Sequence, residues 1–165
     1  MLLQQPKLLI MKNAPIASFL LLICLTANAQ AYWVGGADGR ENDWMEPRNW
    51  STGQVPGWQD DVIIPYQDQS LYPEVRCVAP LIQSLQISKE ASLAIGPEGV
   101  LTIDAYEKEE TGMVLEGFIF NYGALILTEM ELEPVEGQLS HLDNQGICSL
   151  VTDAGHIPLL AQENQ

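Results

Sequence analysis

The chain has 165 residues, with 7 basic and 22 acidic side chains and a formal net charge of −15 at neutral pH. Nucleic acid and anionic membrane surfaces repel a protein of this charge, so we exclude nucleic-acid binding. A calcium ion or a cationic partner is compatible with the same charge.

Residues 1–29 have the pattern of a secretory signal peptide, with cleavage expected after Ala29. Two lysines precede the apolar segment IASFLLLICLT (16–26), which is too short to span a bilayer comfortably. Removal of this peptide takes away two lysines and no acid, so the net charge of the mature chain changes from −15 to −17. Cys24 raises the alternative of a lipoprotein, but bulky aliphatic residues precede it where lipid attachment needs a small one. We therefore expect a secreted or cell-surface protein without membrane insertion after cleavage.

Residues 30–66 contain every tryptophan of the chain and are expected to form an N-terminal cap. The repeats downstream predict a solenoid, and a solenoid must cover its hydrophobic end and its unpaired strand edges. Each buried indole covers roughly 150–250 Å². We expect most of the four indoles to be buried in the cap, and the first strand to lie at Val62–Ile64. Trp58, which follows Pro56-Gly57, is the candidate for an exposed residue that stacks on a carbohydrate.

Residues 67–157 are expected to form the rungs of a short right-handed parallel β-helix, an all-β fold, with 158–165 as a C-terminal tail. Short apolar pairs recur every eight residues between 85 and 103, which predicts about three strands per coil. A recurrence near 24 residues then indicates a repeat architecture. The repeated segments are IGPEGVLTI (95–103), IFNYGALIL (119–127) and LDNQGICSL (142–150).

Glycine marks the same place in each repeat, at Gly99, Gly123 and Gly146. We expect each glycine to supply the positive φ of a corner between strands. The alternative fold is an antiparallel β-sandwich, because eight-residue spacing also suits hairpins. A sandwich gives no reason for asparagine and glycine to return together at Asn121 and Asn144, so the β-helix is preferred.

The alignment predicts inward columns of side chains. Ile95 is matched with Ile119 and Leu142, and a second column contains Leu101, Leu125 and Cys148. The segment around Cys77 is placed in the same register, which puts both cysteines of the mature chain in one column, roughly 14 Å apart over three rungs. Bridged cysteines need Cα atoms within ~7 Å. We therefore expect two unbridged, buried cysteines.

Four carboxylates are candidate calcium ligands: Asp60, Asp61, Glu107 and Glu131. The aspartates precede an apolar strand, where carboxylates either ligate calcium or accept hydrogen bonds from a turn, and the turn is preferred. The two glutamates coincide at the 24-residue offset, which would stack like charges about 5 Å apart. A solvated acidic face is preferred there over a calcium bridge. No other cofactor is expected.

Residues 32–65 resemble the opening module of large, secreted, adhesin-like bacterial surface proteins with β-helical repeats. The matching motifs are W-V-G-G from Trp33, W-x-x-x-x-N-W-S-x-G-x-x-P from Trp44, and DDVIIP (60–65). The resemblance covers residues 32 to about 103 and implies an architecture and a location but no common reaction. Such proteins usually continue for hundreds of residues, so an isolated opening module or a shortened relative is expected.

Motifs for catalysis are absent from the sequence. His141 and His156 lie in no recognisable motif, and no zinc, phosphate-binding or serine-nucleophile pattern occurs. We therefore expect a non-catalytic structural or adhesive module at the bacterial cell surface, whose partner is an extracellular glycan or another surface protein. The alternatives are a carbohydrate-binding module that uses exposed aromatic side chains and a degenerate polysaccharide-active β-helix enzyme. The basic residues available to such an enzyme are Arg40, Arg48, Arg76, Lys89 and Lys108.

Overall fold

A computed structural model describes residues 30–105, 112–128, 141–152 and 155–158. In these ranges parallel strands stack into a β-solenoid of about three turns, with no α-helix. The predicted solenoid is confirmed, and the alternative β-sandwich is wrong. The proposed signal peptide (1–29) lies outside the described residues.

The described part of the chain contains twelve strands and one short 3-10 helix, Pro47–Asn49. The strands are β1 (Gln30–Tyr32), β2 (Asp61–Ile64), β3 (Glu74–Val75), β4 (Ser84–Ile87), β5 (Ser92–Ile95), β6 (Val100–Asp104), β7 (Met113–Leu115), β8 (Phe118–Asn121), β9 (Ala124–Thr128), β10 (Leu142–Asn144), β11 (Ile147–Thr152) and β12 (Gly155–Pro158).

The strands form three four-stranded sheets around one core. Sheet 1 has the order β1-β2-β4-β7, sheet 2 the order β10-β8-β5-β3, and sheet 3 the order β12-β11-β9-β6. The two complete turns, β4-β5-β6 and β7-β8-β9, each contribute one strand to each sheet, as the eight-residue recurrence predicted. Every named strand pair is parallel except β11–β12.

The column of Leu101, Leu125 and Cys148 is confirmed, because these residues pair across β6, β9 and β11 and all three are buried. The predicted match of Ile95 with Ile119 is wrong. Ile119 pairs with Leu93, and Ile95 pairs with Asn121. The corner after Ile95 is GPEG, whereas the corner after Asn121 is YG, so the earlier rung contains two more residues. Because of this insertion, the residues before the corner pair two positions away from the predicted alignment. The residues after the corner pair as predicted.

The corner glycines are required for a different reason from the predicted one. Within the described ranges the glycines with positive φ are Gly35, Gly36, Gly39, Gly53 and Gly155, none of which is a repeat glycine. A Cβ atom on Gly123 would overlap the carbonyl oxygens of Gly96 and Gly99, and one on Gly146 would overlap the carbonyl oxygen of Gly123. Glycine is selected because the backbones of successive rungs approach too closely for any side chain.

An asparagine next to this corner ties two rungs together. Asn121 is fully buried, and its Nδ2 donates to Asn144 Oδ1 at 2.7 Å and to the Ile147 carbonyl at 2.9 Å. Its Oδ1 accepts from the Gly123 amide at 3.2 Å. Because both ends of the amide have partners, the core accommodates this polar group without the cost of an unsatisfied one.

Three of the four tryptophans form a buried cluster, which confirms that most of the indoles are in the interior. The ring centroid of Trp50 lies 5.0 Å from that of Trp33 and 4.7 Å from that of Trp44, in edge-to-face arrangements. Trp50 Nε1 donates to the Trp44 carbonyl at 2.8 Å, and Trp33 Nε1 donates to the Leu71 carbonyl at 2.6 Å. The buried Asn49 side chain holds the loop above them by bonding to Ala37, Arg40 and Asp43.

The cap also covers an edge of the solenoid. The Trp44 amide donates to the Glu74 carbonyl at 3.2 Å, and the Glu74 amide donates to the Asn42 carbonyl at 2.7 Å, so the cap occupies the free side of β3. The expectation that Val62–Ile64 would be the first strand is wrong, because β1 precedes it and pairs in parallel with β2. At the other end, β12 folds back antiparallel on β11, which the repeat pattern did not predict.

The two cysteines of the described chain are unbridged but differ in burial. Cys148 is buried in its predicted column, whereas Cys77 is exposed, so its predicted place in the core is wrong. Val78 pairs with Val100, which puts Ala79 rather than Cys77 beside Leu101 on the inward side. Cys77 belongs to the corner that follows β3 and faces outward.

We expect Gly123→Ala to lower the free energy of unfolding by about 3 kcal/mol or more, because the new methyl group overlaps backbone that cannot move independently. Gly53→Ala is the matched control. Gly53 has φ +68° and nothing within 4 Å of its added Cβ, so only the local backbone cost of about 1 kcal/mol applies. Urea unfolding followed by circular dichroism measures both, and equal losses would contradict the close-approach explanation.

We expect iodoacetamide to label Cys77 in the native protein and Cys148 only after unfolding. Burial raises the pKa of the Cys148 thiol to about 11 and shields the sulfur, so almost no reactive thiolate is present at pH 8. Peptide mapping by mass spectrometry with and without denaturant gives the labelled positions. Native labelling of both cysteines, or of neither, would be inconsistent with this placement.

Candidate binding site

Trp58, the predicted carbohydrate-stacking residue, is 68% exposed in the turn Gly57–Asp60. Asp60 closes this turn, since its Oδ2 accepts from the Gly57 amide at 2.7 Å and its own amide donates to the Gly57 carbonyl at 3.0 Å. No aromatic ring of the described chain contacts the Trp58 indole. The structure therefore presents one accessible indole here and no platform of several rings.

The paired aspartates bond to protein groups on different rungs. Asp60 serves the turn, as preferred from the sequence, and Asp61 Oδ1 accepts from the Ser84 hydroxyl on the neighbouring strand. In the described ranges no group of three or more His, Cys, Asp or Glu residues could hold a metal ion. Glu107 and Glu131, the other candidate calcium ligands, lie outside those ranges.

The outer face of sheet 2 carries a row of exposed aromatic side chains that the sequence interpretation missed. Phe118 and Phe120 lie on β8 and Tyr122 lies in the corner after it; they are 49%, 37% and 45% exposed. They point outward because Ile119 and Asn121, which alternate with them, point into the core. We call these three residues the aromatic strip. The ring centroids of its phenylalanines are 6.4 Å apart, and their planes differ by 21°.

The neighbours of the strip are small on one side and polar on the other. Phe118 pairs with Ser92 and Phe120 with Ala94 on β5, so little side-chain bulk stands beside the rings there. On the opposite side Phe120 pairs with Asp143, and the His141 ring centroid lies 5.6 Å from that of Phe118. The strip is thus open toward β5 and bordered by a carboxylate and an imidazole at β10.

A shallow depression of about 280 Å³ adjoins the strip at the glycine corner. Its lining residues are Glu74, Arg76, Gly96, Pro97 and Glu98. The amide of Tyr122 donates to the Ile95 carbonyl at 2.8 Å, which places the end of the strip beside this corner. Arg76 is engaged by Glu74 at 2.5 Å, and this hydrogen bond raises the pKa of the guanidinium. Arg76 therefore balances the charge of Glu74 and would be a poor proton acceptor in a catalytic reaction.

The other arginines of the described chain also contact carboxylates. Arg48 Nε lies 2.6 Å from Glu46, and Arg40 lies 3.5 Å from Asp43. The hydrogen bond from Arg48 holds the pKa of the Glu46 carboxyl below its ordinary value. Both pairs lie within the cap loop. Lys108, a further basic residue considered for an enzyme, lies outside the described residues.

Comparison of the chain with models of known protein families, with curated proteins and with solved structures gave no match. No helix within the described ranges is long and apolar enough to cross a membrane. The function is therefore inferred from the chain's own surface. The alternation F-I-F-N-Y carried the signal for the strip, since an inward Ile119 requires outward residues on both sides.

We expect Trp50→Ala to destabilise the protein by about 3–5 kcal/mol, because it removes a buried ring that contacts two others. Trp58→Ala is the matched control and should change the stability by less than about 0.5 kcal/mol, since the indole is exposed. Urea unfolding monitored by circular dichroism compares the two. A large loss from Trp58→Ala would show that its indole packs against the fold.

Proposed function

We propose that the protein is a secreted, non-catalytic β-solenoid module with an adhesive role at the bacterial cell surface. The observation that supports this proposal is the aromatic strip, in which two exposed phenylalanines lie on one strand of a packed sheet and an exposed tyrosine lies in the corner after it. Exposed apolar patches on soluble proteins are typical of interaction sites, and aromatic side chains contribute much of the free energy at such sites. A packed sheet holds them in place before a partner arrives.

The way in which strand edges are covered at the ends of the solenoid supports binding of a partner on the outer face of a sheet. The cap bonds to the free side of β3, and β12 ends sheet 3 with an antiparallel strand. Open edges would favour strand-to-strand growth into fibres, whereas the covered edge of β3 leaves the outer faces of the sheets as the surfaces for contact. An adhesive module of this kind binds its partner side-on.

A carbohydrate-binding role is the second candidate, and the exposure of Trp58 favours it. An isolated indole can stack on one sugar ring, and the polar groups of the adjacent turn could bond to its hydroxyls. The strip offers more contact area than one indole, so we place the adhesive function there. The Trp58→Ala variant removes the indole and leaves the strip unchanged, so it tests the two candidate sites separately.

The test begins with the full chain, produced in a bacterium with a C-terminal tag and recovered from the medium. Mass spectrometry of the intact protein should give the mass of a chain that begins at Gln30. Beads coated with this protein should attach to bacterial cells, and a Phe118→Ser/Phe120→Ser variant should reduce attachment at least ten-fold. Val114→Ser is the matched control, since Val114 is an exposed residue on sheet 1, and it should attach like the wild type.

Retention of the protein in the cytoplasm would contradict the secreted location. Equal attachment by the strip variant and the wild type would refute the role of the strip. Loss of attachment in Trp58→Ala alone, inhibited by free sugars, would favour carbohydrate binding instead. Circular dichroism and thermal unfolding of each variant establish that it is folded.

A further inference from the structure

We propose that the aromatic strip binds an extended basic segment of a partner protein in which every second residue is arginine or lysine. The inference rests on the proposed adhesive function and specifies the chemistry of its partner. The spacing of the rings, the carboxylates beside them and the overall charge of the chain lead to this occupant.

The spacing of the rings matches an extended peptide. Phe118 and Phe120 are two residues apart on one strand, and their ring centroids are separated by 6.4 Å. Every second residue of any extended chain repeats at about 6.4–6.8 Å. A peptide that lies along β8 therefore presents the side chains of its inner face to successive rings without a change of register. The small residues Ser92 and Ala94 on β5 leave room for its backbone beside the rings.

The charge next to the rings selects cations. Asp143 is the direct cross-strand neighbour of Phe120 and is exposed, so a guanidinium above the Phe120 ring is within reach of the carboxylate. A bound arginine side chain is stabilised both by contact with an aromatic ring face and by pairing with a carboxylate. Glu116, two residues before Phe118, and Glu98, in the corner near Tyr122, are exposed as well. These carboxylates extend the acidic border toward both ends of the strip.

The basic side chains of the same region do not offset this border. Arg76 is bound to Glu74, and His141 contacts the Phe118 ring. Lys89, exposed in the corner before β5, is a single charge beside three exposed carboxylates. A second copy of the chain is a poor occupant, because its net charge of −15, or −17 after signal cleavage, opposes self-association through an acidic face. Charge complementarity therefore points to a basic partner.

The probe is a fluorescein-labelled ten-residue peptide of alternating arginine and serine. Its isomer RRSSRRSSRS has the same composition and charge, but neither face of the extended chain carries arginine at two successive positions, and it serves as the control ligand. Fluorescence anisotropy with the secreted protein at 50 and 200 mM salt gives the dissociation constants. We expect the alternating peptide to bind at least ten-fold more tightly than the isomer, because only it matches the ring spacing.

Two variants examine the two contacts. Phe120→Leu keeps an apolar side chain but removes the ring face, and we expect it to weaken binding of the alternating peptide at least five-fold. Asp143→Asn should weaken binding by a similar factor and make it less dependent on salt, since one ion pair is lost. Val114→Ser on sheet 1 should bind like the wild type. Thermal unfolding confirms that the variants are folded.

Equal binding of the two isomers would overturn the inference, because it would reduce the effect to net charge. Unchanged binding by Phe120→Leu would do so as well. Binding of neutral cellohexaose that Phe120→Leu abolishes, without peptide binding, would assign the strip to a glycan. A dimer seen by sedimentation velocity and lost in Phe120→Leu would assign it to a second copy. Strip-dependent attachment to cells without peptide binding would leave the adhesive function standing and this inference refuted.

Discussion

The close approach of successive backbones at the glycine corner is the constraint on which the rest of the structure depends. At this corner the carbonyl oxygen of one rung occupies the space where a Cβ atom of the next would lie, as Gly123 shows against Gly99 and Gly146 against Gly123. Because only glycine fits, the corner aligns each rung with the one before it. Once the corner is aligned, the strands that follow it pair without a shift.

Alignment at the corner determines both the interior and the surface. Parallel pairing places Leu101, Leu125 and Cys148 on top of one another in the core, where apolar burial supplies most of the stabilisation. It equally places Phe120 beside Asp143 on the outside. A change of one residue in register would turn every inward side chain outward and every outward side chain inward. The leucines would then be exposed and a carboxylate would be buried. The same constraint therefore protects the core and assembles the outer rows.

The ends of the solenoid explain why tryptophan is concentrated in one segment. A stack of rungs leaves an apolar end and unpaired amides, and the first rungs meet this with three edge-to-face indoles and with backbone bonds from the cap to β3. Asn49 and Trp50 connect the loop to the indole cluster. The Asn49 side chain holds the loop by hydrogen bonds, and its neighbour Trp50 fills the centre of the cluster. The Asn-Trp pair is thus a structural unit, and Trp58, outside the cluster, is the one free for another role.

Much of this arrangement could be predicted from the sequence, and the failures have physical causes. The recurrence of apolar pairs and glycines identified three strands per turn and the column of Leu101, because alternation and repeat length are visible in one dimension. The register before the corner was missed at Ile95, since an insertion of two residues in the corner is not distinguishable from a change in strand length. Cys77 was misplaced for a related reason, as its corner has its own length. The strands at the ends, β1 and β12, belong to no repeat and left no periodic signal.

The three rings of the aromatic strip come from one five-residue stretch, F-I-F-N-Y, but the side chains beside them come from other rungs. In a parallel solenoid each outward row takes one residue from each rung, so a surface forms from positions some 20–26 residues apart in the chain, as in the row Glu74, Ala94, Phe120 and Asp143. No short motif can encode such a row. The core constrains only the alternate residues, which leaves the outer row free to acquire aromatic and acidic side chains without loss of packing. A recognition surface on this fold is therefore best sought by first establishing the register and then reading across the rungs.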